Sequence, residues 1–292
     1  MDESTMRPDQ KDTTYIINTE SGAETARIVL QAKEVNKVTG LFPNAVLSSI
    51  PVDASVLDIG CGPGTWALDV AFDYPVMEIT AVDVSKTIID YAQATALTQN
   101  IHNVSFEVVD VLGTSYTGFT EQSFDVVHIR FAAGWVPEGK WLPLLTHLYQ
   151  LLDSGGWLIS TEGEWPYTTS SALHHLNKLL SRAMHNAGLG LAPGWESQGV
   201  VARMGNLLYK AGFHQTGVEC HALDFSGYHP REFKIWYDDF VAIYQLARPF
   251  ILKHVPGSED MVNYLYDQMI QQMWELDFCG IGCFYTYYAQ KP

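Results

Sequence analysis

The stretch Val56-Leu57-Asp58-Ile59-Gly60-Cys61-Gly62-Pro63-Gly64-Thr65-Trp66 constrains this chain more than any other. A short apolar run carries one acid, three alternate glycines follow, and an apolar, helix-like segment resumes at Trp66. The pattern is that of a strand, a tight turn and a helix start. Glycine has no Cβ, so the backbone can turn sharply there and its N–H groups can come within contact distance of a ligand. The spacing Gly60-x-Gly62-x-Gly64 departs from the G-x-G-x-x-G of dinucleotide sites. That departure disfavours an NAD(P)-dependent oxidoreductase.

The segments that follow repeat the alternation of strand and helix. Glu78-Ile79-Thr80-Ala81-Val82-Asp83 reads as a second strand ending in an acid. An acid about 20 residues past the glycines is placed to accept hydrogen bonds from both ribose hydroxyls of an adenosine. Ser85 caps the next helix, over residues 86–99, and Asn100 closes it. A third strand over 104–109 leads into Asp110-Val111, and a fourth covers 124–130 after the loop 114–123. Side chains alternate along a strand, so His128 and Arg130 point to one side of it.

At these residues the sequence resembles the class I S-adenosylmethionine-dependent methyltransferases of the small-molecule type. Their first motif, acid-x-G-x-G-x-G, matches Asp58 to Gly64 residue for residue, and the resemblance covers roughly residues 15–225. It implies an α/β, Rossmann-like, seven-stranded and mostly parallel sheet with an antiparallel last strand and helices on both faces. It also implies S-adenosyl-L-methionine as cofactor. The turn at Gly60, Cys61 and Gly62 would receive the methionine part, Asp83 with its neighbour Val84 the ribose, and Asp110 the adenine amino group, with Val111 against the adenine face. Tyr15, just before an N-terminal helix over 23–39, would lie over the methionine end or serve as a packing tyrosine. Arg130 would pair with the cofactor carboxylate or with a surface acid. His128 is a candidate base or a core histidine; Glu162 is a candidate proton acceptor or, like Glu164, a solvated loop acid. A helix over 140–152, the turn Asp153-Ser154-Gly155-Gly156 and a fifth strand over 157–161 follow the family order, with Ser154 in place of the usual proline.

After a sixth strand over 213–225 the chain departs from the family. Residues 230–254 and 258–277 are two helix-like, aromatic segments before a final strand over 279–289, where the family has a short loop. Additions at that face set substrate choice. The expected organisation is an N-terminal tail and helical cap at 1–50, a methyltransferase core at 51–225, a helical lid at 226–277 and a last core strand at 278–292.

Composition narrows the partners. The formal net charge is −16, with 33 acids against 17 bases, and such a surface repels polyanions, so no nucleic acid or anionic membrane is expected. The polar start and the lack of a long apolar run lead to the expectation of a cytoplasmic protein. The four cysteines are too dispersed for a disulfide framework, and Cys279 with Cys283 lacks a second close Cys/His pair, so no metal is expected. His174 and His175 are adjacent on a helix and diverge by ~100°. The function read here is methyl transfer to a small, apolar, aromatic or amine-bearing metabolite, in secondary metabolism. The alternatives are a non-catalytic adenosine-cofactor or partner-binding module, and the disfavoured oxidoreductase. The aromatic segments after residue 230 suit a homodimer surface as well as a lid.

Overall fold

The computed structural model describes residues 15–18, 21–113, 119, 121 and 123–292. The N-terminal tail expected at residues 1–12 and most of the loop 114–123 lie outside them. Helix α1 (Gly22–Thr39) starts at Ser21, whose hydroxyl accepts from the Glu24 amide. After the short α2 (Asn44–Leu47) the core begins with β1 (Ser55–Ile59), α3 (Thr65–Asp73), β2 (Glu78–Asp83), α4 (Lys86–Gln99), β3 (Val104–Val108) and β4 (Phe124–Arg130). Ser85 caps α4 through the Ile88 amide, and Asn100 ends it in the left-handed region. Next come α5 (Trp141–Leu151), β5 (Leu152–Gly163), β6 (Tyr167–Thr168), α6 (Ser171–Asn186), α7 (Val200–Ala211) and β7 (Gln215–Asp224). Helices α8 (Pro230–His254) and α9 (Glu259–Met273) precede the last strand, β8 (Gly280–Gln290).

The strands run in the order β3-β2-β1-β4-β5-β8, with β6 and β7 both on β8. The first five are parallel to their neighbours, and β8 is antiparallel to β5, β6 and β7. The β1 and β4 strands are apolar at nearly every position because helices cover both sides of a parallel sheet: Val56, Leu57, Ile59, Val126, Val127 and Ile129 are fully buried. The eighth strand, absent from the seven-stranded reading, is the two-residue β6.

One boundary moves more than the rest. The residues read as a turn, Asp153 to Gly156, belong to β5, which starts at Leu152. Gly155 N donates to Lys291 O at 2.8 Å and Lys291 N to Gly156 O at 2.9 Å. That pairing comes from a segment far along the chain.

The core has a layer on each face of the sheet. One side holds Trp66, Ala67, Val70, Ile89 and Ala92 of α3 and α4; the other holds the leucines of α5 and α6 together with Phe233, Trp236, Phe240 and Tyr244 of α8. Those α8 residues recur at three- and four-residue spacing, which puts them on one face of the helix. Helix α8 packs against α1 and α6, and α9 against α6 and α8. No described helix is long and apolar enough to cross a membrane.

Candidate active site

The turn after β1 is built on left-handed glycines: Gly60, Gly62 and Gly64 have φ of 64°, 54° and 76°. A Cβ at Gly60 would stand 2.9 Å from Cζ2 of Trp135, and one at Gly64 2.6 Å from Cε1 of Phe106. At Gly62 the nearest group is Cγ2 of Ile28 at 3.8 Å, so the space above the middle of the turn is open. The turn is tied to the end of β2. Cys61 N donates to Val82 O at 2.9 Å, and Gly62 N to Oδ2 of Asp83 at 3.0 Å. Oδ1 of Asp83 accepts from Ser85 N at 2.9 Å. Burial pushes the Asp83 carboxyl up, against the amides of Ser85, Gly62 and Val84, which hold it down. At the end of β3, Oδ1 of Asp110 accepts from Leu112 N at 3.1 Å.

These groups surround a cavity of about 300 Å³ at the carboxyl ends of β1 to β4, where open α/β sheets bind ligands. Tyr15, Gly60, Cys61, Gly62, Asp83, Val84, Asp110, Val111 and Arg130 all line it, and so does His128. The open turn, an acid with a lone pair to spare on each oxygen and a half-buried guanidinium suit the ribose and amino-acid parts of S-adenosylmethionine.

His128 is deep in the wall. Its Nδ1 faces Oδ1 of Asp58 at 2.8 Å, and its ring stacks on Trp66 with centroids 3.6 Å apart. Burial lowers its pKa, against the pull of Asp58. Arg130 donates from Nη1 to Oδ1 of Asn36 at 2.6 Å, and Asn36 passes the contact on to Asp69. Burial pushes Arg130 down to about 10, against Asp58 and Asp69. It stays charged at neutral pH. Among the described residues no carboxylate forms an ion pair with it.

A second cavity, of about 170 Å³, shares Tyr15, Gln31 and Phe131 with the first. Glu162 lies here, apart from the other predicted site residues. It is 1% exposed, and it accepts from Ala132 N at 2.8 Å and Ala133 N at 3.4 Å. Burial raises its carboxyl to about 8. The segment that it holds begins at Phe131, whose φ of 52° is left-handed, and continues to Gly134 and Trp135, so Glu162 braces the bend between the two cavities. Gly134 O accepts from Ile16 N at 3.2 Å, which seats Tyr15 beside it. The Tyr15 hydroxyl donates to Oε1 of Glu24 at 2.8 Å.

Sequence reasoning did not find Trp135, Gln31 or the buried Glu24–Arg27–Asp239 group. The Glu24-x-x-Arg27 spacing was a visible signal for the first pair; Asp239 is on another helix and left no local trace. Among the described residues no group of three or more His, Cys, Asp and Glu is placed to hold a metal.

Residues 56–156 match the family model of a methyltransferase domain. "Methyltransferase str2" of Strobilurus tenacellus is 30% identical over 119 residues, 39% of this chain and 39% of that protein. "Secondary metabolism regulator laeA" of Monascus pilosus is 25% identical over 261 residues, 85% of this chain and 66% of that protein. The chain thus spans less than two-thirds of the length of either relative. Phosphoethanolamine N-methyltransferase 2 of Haemonchus contortus, solved with S-adenosylhomocysteine, has a similar fold at 18% identity with a TM-score of 0.55, over 93% of this chain and 57% of that one. The YcgJ protein of Bacillus subtilis is similar at 14% identity with a TM-score of 0.51, over 91% and 99%. With the acid-and-glycine turn and the β2 acid on one cavity, residues 56–156 carry a methyltransferase domain, in a fold similar to that of class I, S-adenosylmethionine-dependent methyltransferases.

Proposed function

We propose that this protein transfers the methyl group of S-adenosylmethionine, by in-line displacement, to a small acceptor in the second cavity. The observation that carries this reading is that the two cavities lie side by side, with Tyr15, Gln31 and Phe131 in the walls of both. When bound, S-adenosylmethionine supplies a methyl group already activated on a sulfonium, so alignment and the exclusion of water are the chain's chief tasks. Asp83 would accept from the ribose hydroxyls and Asp110 from the adenine amino group. Arg130, charged and without an ion-pair partner among the described residues, would hold the carboxylate of the methionine part. Tyr15, fixed through Ile16 and Glu24, would close that end. Helices α1 and α8 would cover the acceptor. His128, and Glu162 on the acceptor side once it is ionised above about pH 8, are the groups available to take a proton.

The acceptor is a small metabolite of apolar, aromatic or amine-bearing character, since rings of Phe131, Trp236 and Phe284 line its cavity. The names of the Strobilurus and Monascus relatives favour a place in secondary metabolism. A net charge of −16 argues against nucleic acid as the acceptor. The name "regulator" on a relative aligned over 85% of this chain favours, as a second reading, a cofactor-binding module without turnover.

Calorimetry with S-adenosylhomocysteine tests the first reading. Micromolar binding is expected, weakened by about 1 to 3 kcal/mol in Asp83→Ala, the range for hydrogen bonds to a charged group. No binding to the unaltered chain would remove the methyltransferase reading, and binding without turnover of any acceptor would favour the module.

A further inference from the structure

The second cavity is lined by acceptor oxygens and ring faces, while its strongest donors are already engaged. Arg27 is the guanidinium on its wall. Nε and Nη2 donate to the two oxygens of Glu24 at 2.7 and 2.8 Å, and Nη1 to Oδ1 of Asp239 at 2.8 Å. Gln31 Nε2 donates to the other oxygen of Asp239 at 3.2 Å. The backbone amides nearby are taken up as well: Ala132 and Ala133 by Glu162, Gln198 and Gly199 by Glu164 at 3.0 and 2.8 Å. An anionic ligand would meet donors that already serve the chain's own carboxylates.

A cation finds the opposite. Asp239, Glu162 and Glu164 all line the cavity, and burial pushes each of the three carboxyls up, as expected where carboxylates are crowded into an apolar space. Much of the rest of the wall is aromatic: Phe131 and Trp236 each lie 5.8 Å from Phe284, and Phe225 lies 5.7 Å from Phe240. Ring faces attract an ammonium group, more strongly when it is desolvated.

We propose that the second cavity binds its ligand as a cation, an arylalkyl- or alkylammonium whose apolar part lies among Phe131, Trp236 and Phe284 and whose charge faces Asp239 and Glu164. This rests on the reading of that cavity as the acceptor site. It narrows the acceptor to an amine-bearing molecule and excludes carboxylates and phosphates.

The test is calorimetric titration of the full chain, saturated with S-adenosylhomocysteine, with three probes of one shape: 2-phenylethylammonium, 2-phenylethanol and phenylacetate. The ammonium is expected to bind at least tenfold more tightly than the alcohol, with no measurable binding of phenylacetate. Asp239→Asn and, separately, Glu164→Gln should each weaken the ammonium at least threefold and leave the alcohol unchanged. Glu164→Gln keeps the test open if loss of the Arg27 partner unfolds the other variant, and S-adenosylhomocysteine affinity reports the fold of both. Alcohol or phenylacetate binding as tight as the ammonium, or no ammonium binding to a chain that holds S-adenosylhomocysteine, overturns the inference. Failure of the cofactor reading shows separately, as no S-adenosylhomocysteine binding; the same three probes titrated alone then still decide the cation preference.

Discussion

Glu162 keeps its carboxyl out of water and against two backbone amides, and the free energy of that arrangement depends on pH. Its pKa of about 8 in the folded chain stands above the ordinary value of 4.5. Between those values the folded chain holds a proton that the unfolded chain has released. Stability therefore falls as pH rises through this window, by up to about 1.4 kcal/mol per unit from this one group. Glu162→Gln lacks the proton equilibrium, so urea unfolding at pH 5.5 and 8 should show a smaller loss for the variant than for the unaltered chain. Equal losses would mean that Glu162 titrates normally. That the glycines, Asp83, Asp110 and Arg130 come together on one cavity was legible because each is a residue type next to a turn or at a strand end. The attachment of Glu162 to Ala132 and Ala133, and of His128 to Asp58, was not. Both pairings join segments far apart in sequence: His128 on β4 meets Asp58 on the neighbouring β1, and Glu162 on β5 meets residues that follow β4.

Helices α1 and α8 are joined by Arg27, which sits between Glu24 and Asp239 with all three nearly excluded from solvent. Removing the cation leaves two buried carboxylates facing each other without compensation, which costs far more than a surface pair. Arg27→Met is expected to lower stability by about 3 to 5 kcal/mol, and the loss should show in denaturant midpoints with the slope unchanged. A loss below about 1 kcal/mol would mean that the two helices part without consequence for the fold. At this scale the sequence was most readable where an element carries its own ends, as with Ser85 and Asn100 on α4. It was least readable at the start of β5. Gly155 and Gly156 have the composition of a turn, yet Gly156 comes within about 3 Å of carbonyl oxygens at its Cβ position and pairs with Lys291. Tertiary pairing overrides local preference there.

For the molecule as a whole, the sheet depends on β8 more than on any other strand of its second half. It pairs with β5 over Trp157 to Gly163 on one side and with β7 over Gln215 to Asp224 on the other. A chain ending at residue 279 should leave both strands with open edges, lose its cooperative unfolding transition and become sensitive to proteases between residues 164 and 279. Retention of a cooperative transition would show that β5 and β7 find other partners. The parallel half was legible from strand-and-helix alternation, and so was an added helical pair before the last strand. The packing of that pair on α1 and α6 was not, because its rings gave no sign of which partner they would meet.

The position of β8 also separates the two cavities in time. Groups around the first cavity come from residues no later than Trp135, whereas Gly282, Cys283 and Phe284 line the second. At a synthesis rate of ~5–20 residues per second, the ribosome needs on the order of 10 s to pass from the end of β5 to β8. During that interval the nascent chain can complete the first cavity while the second still lacks a wall.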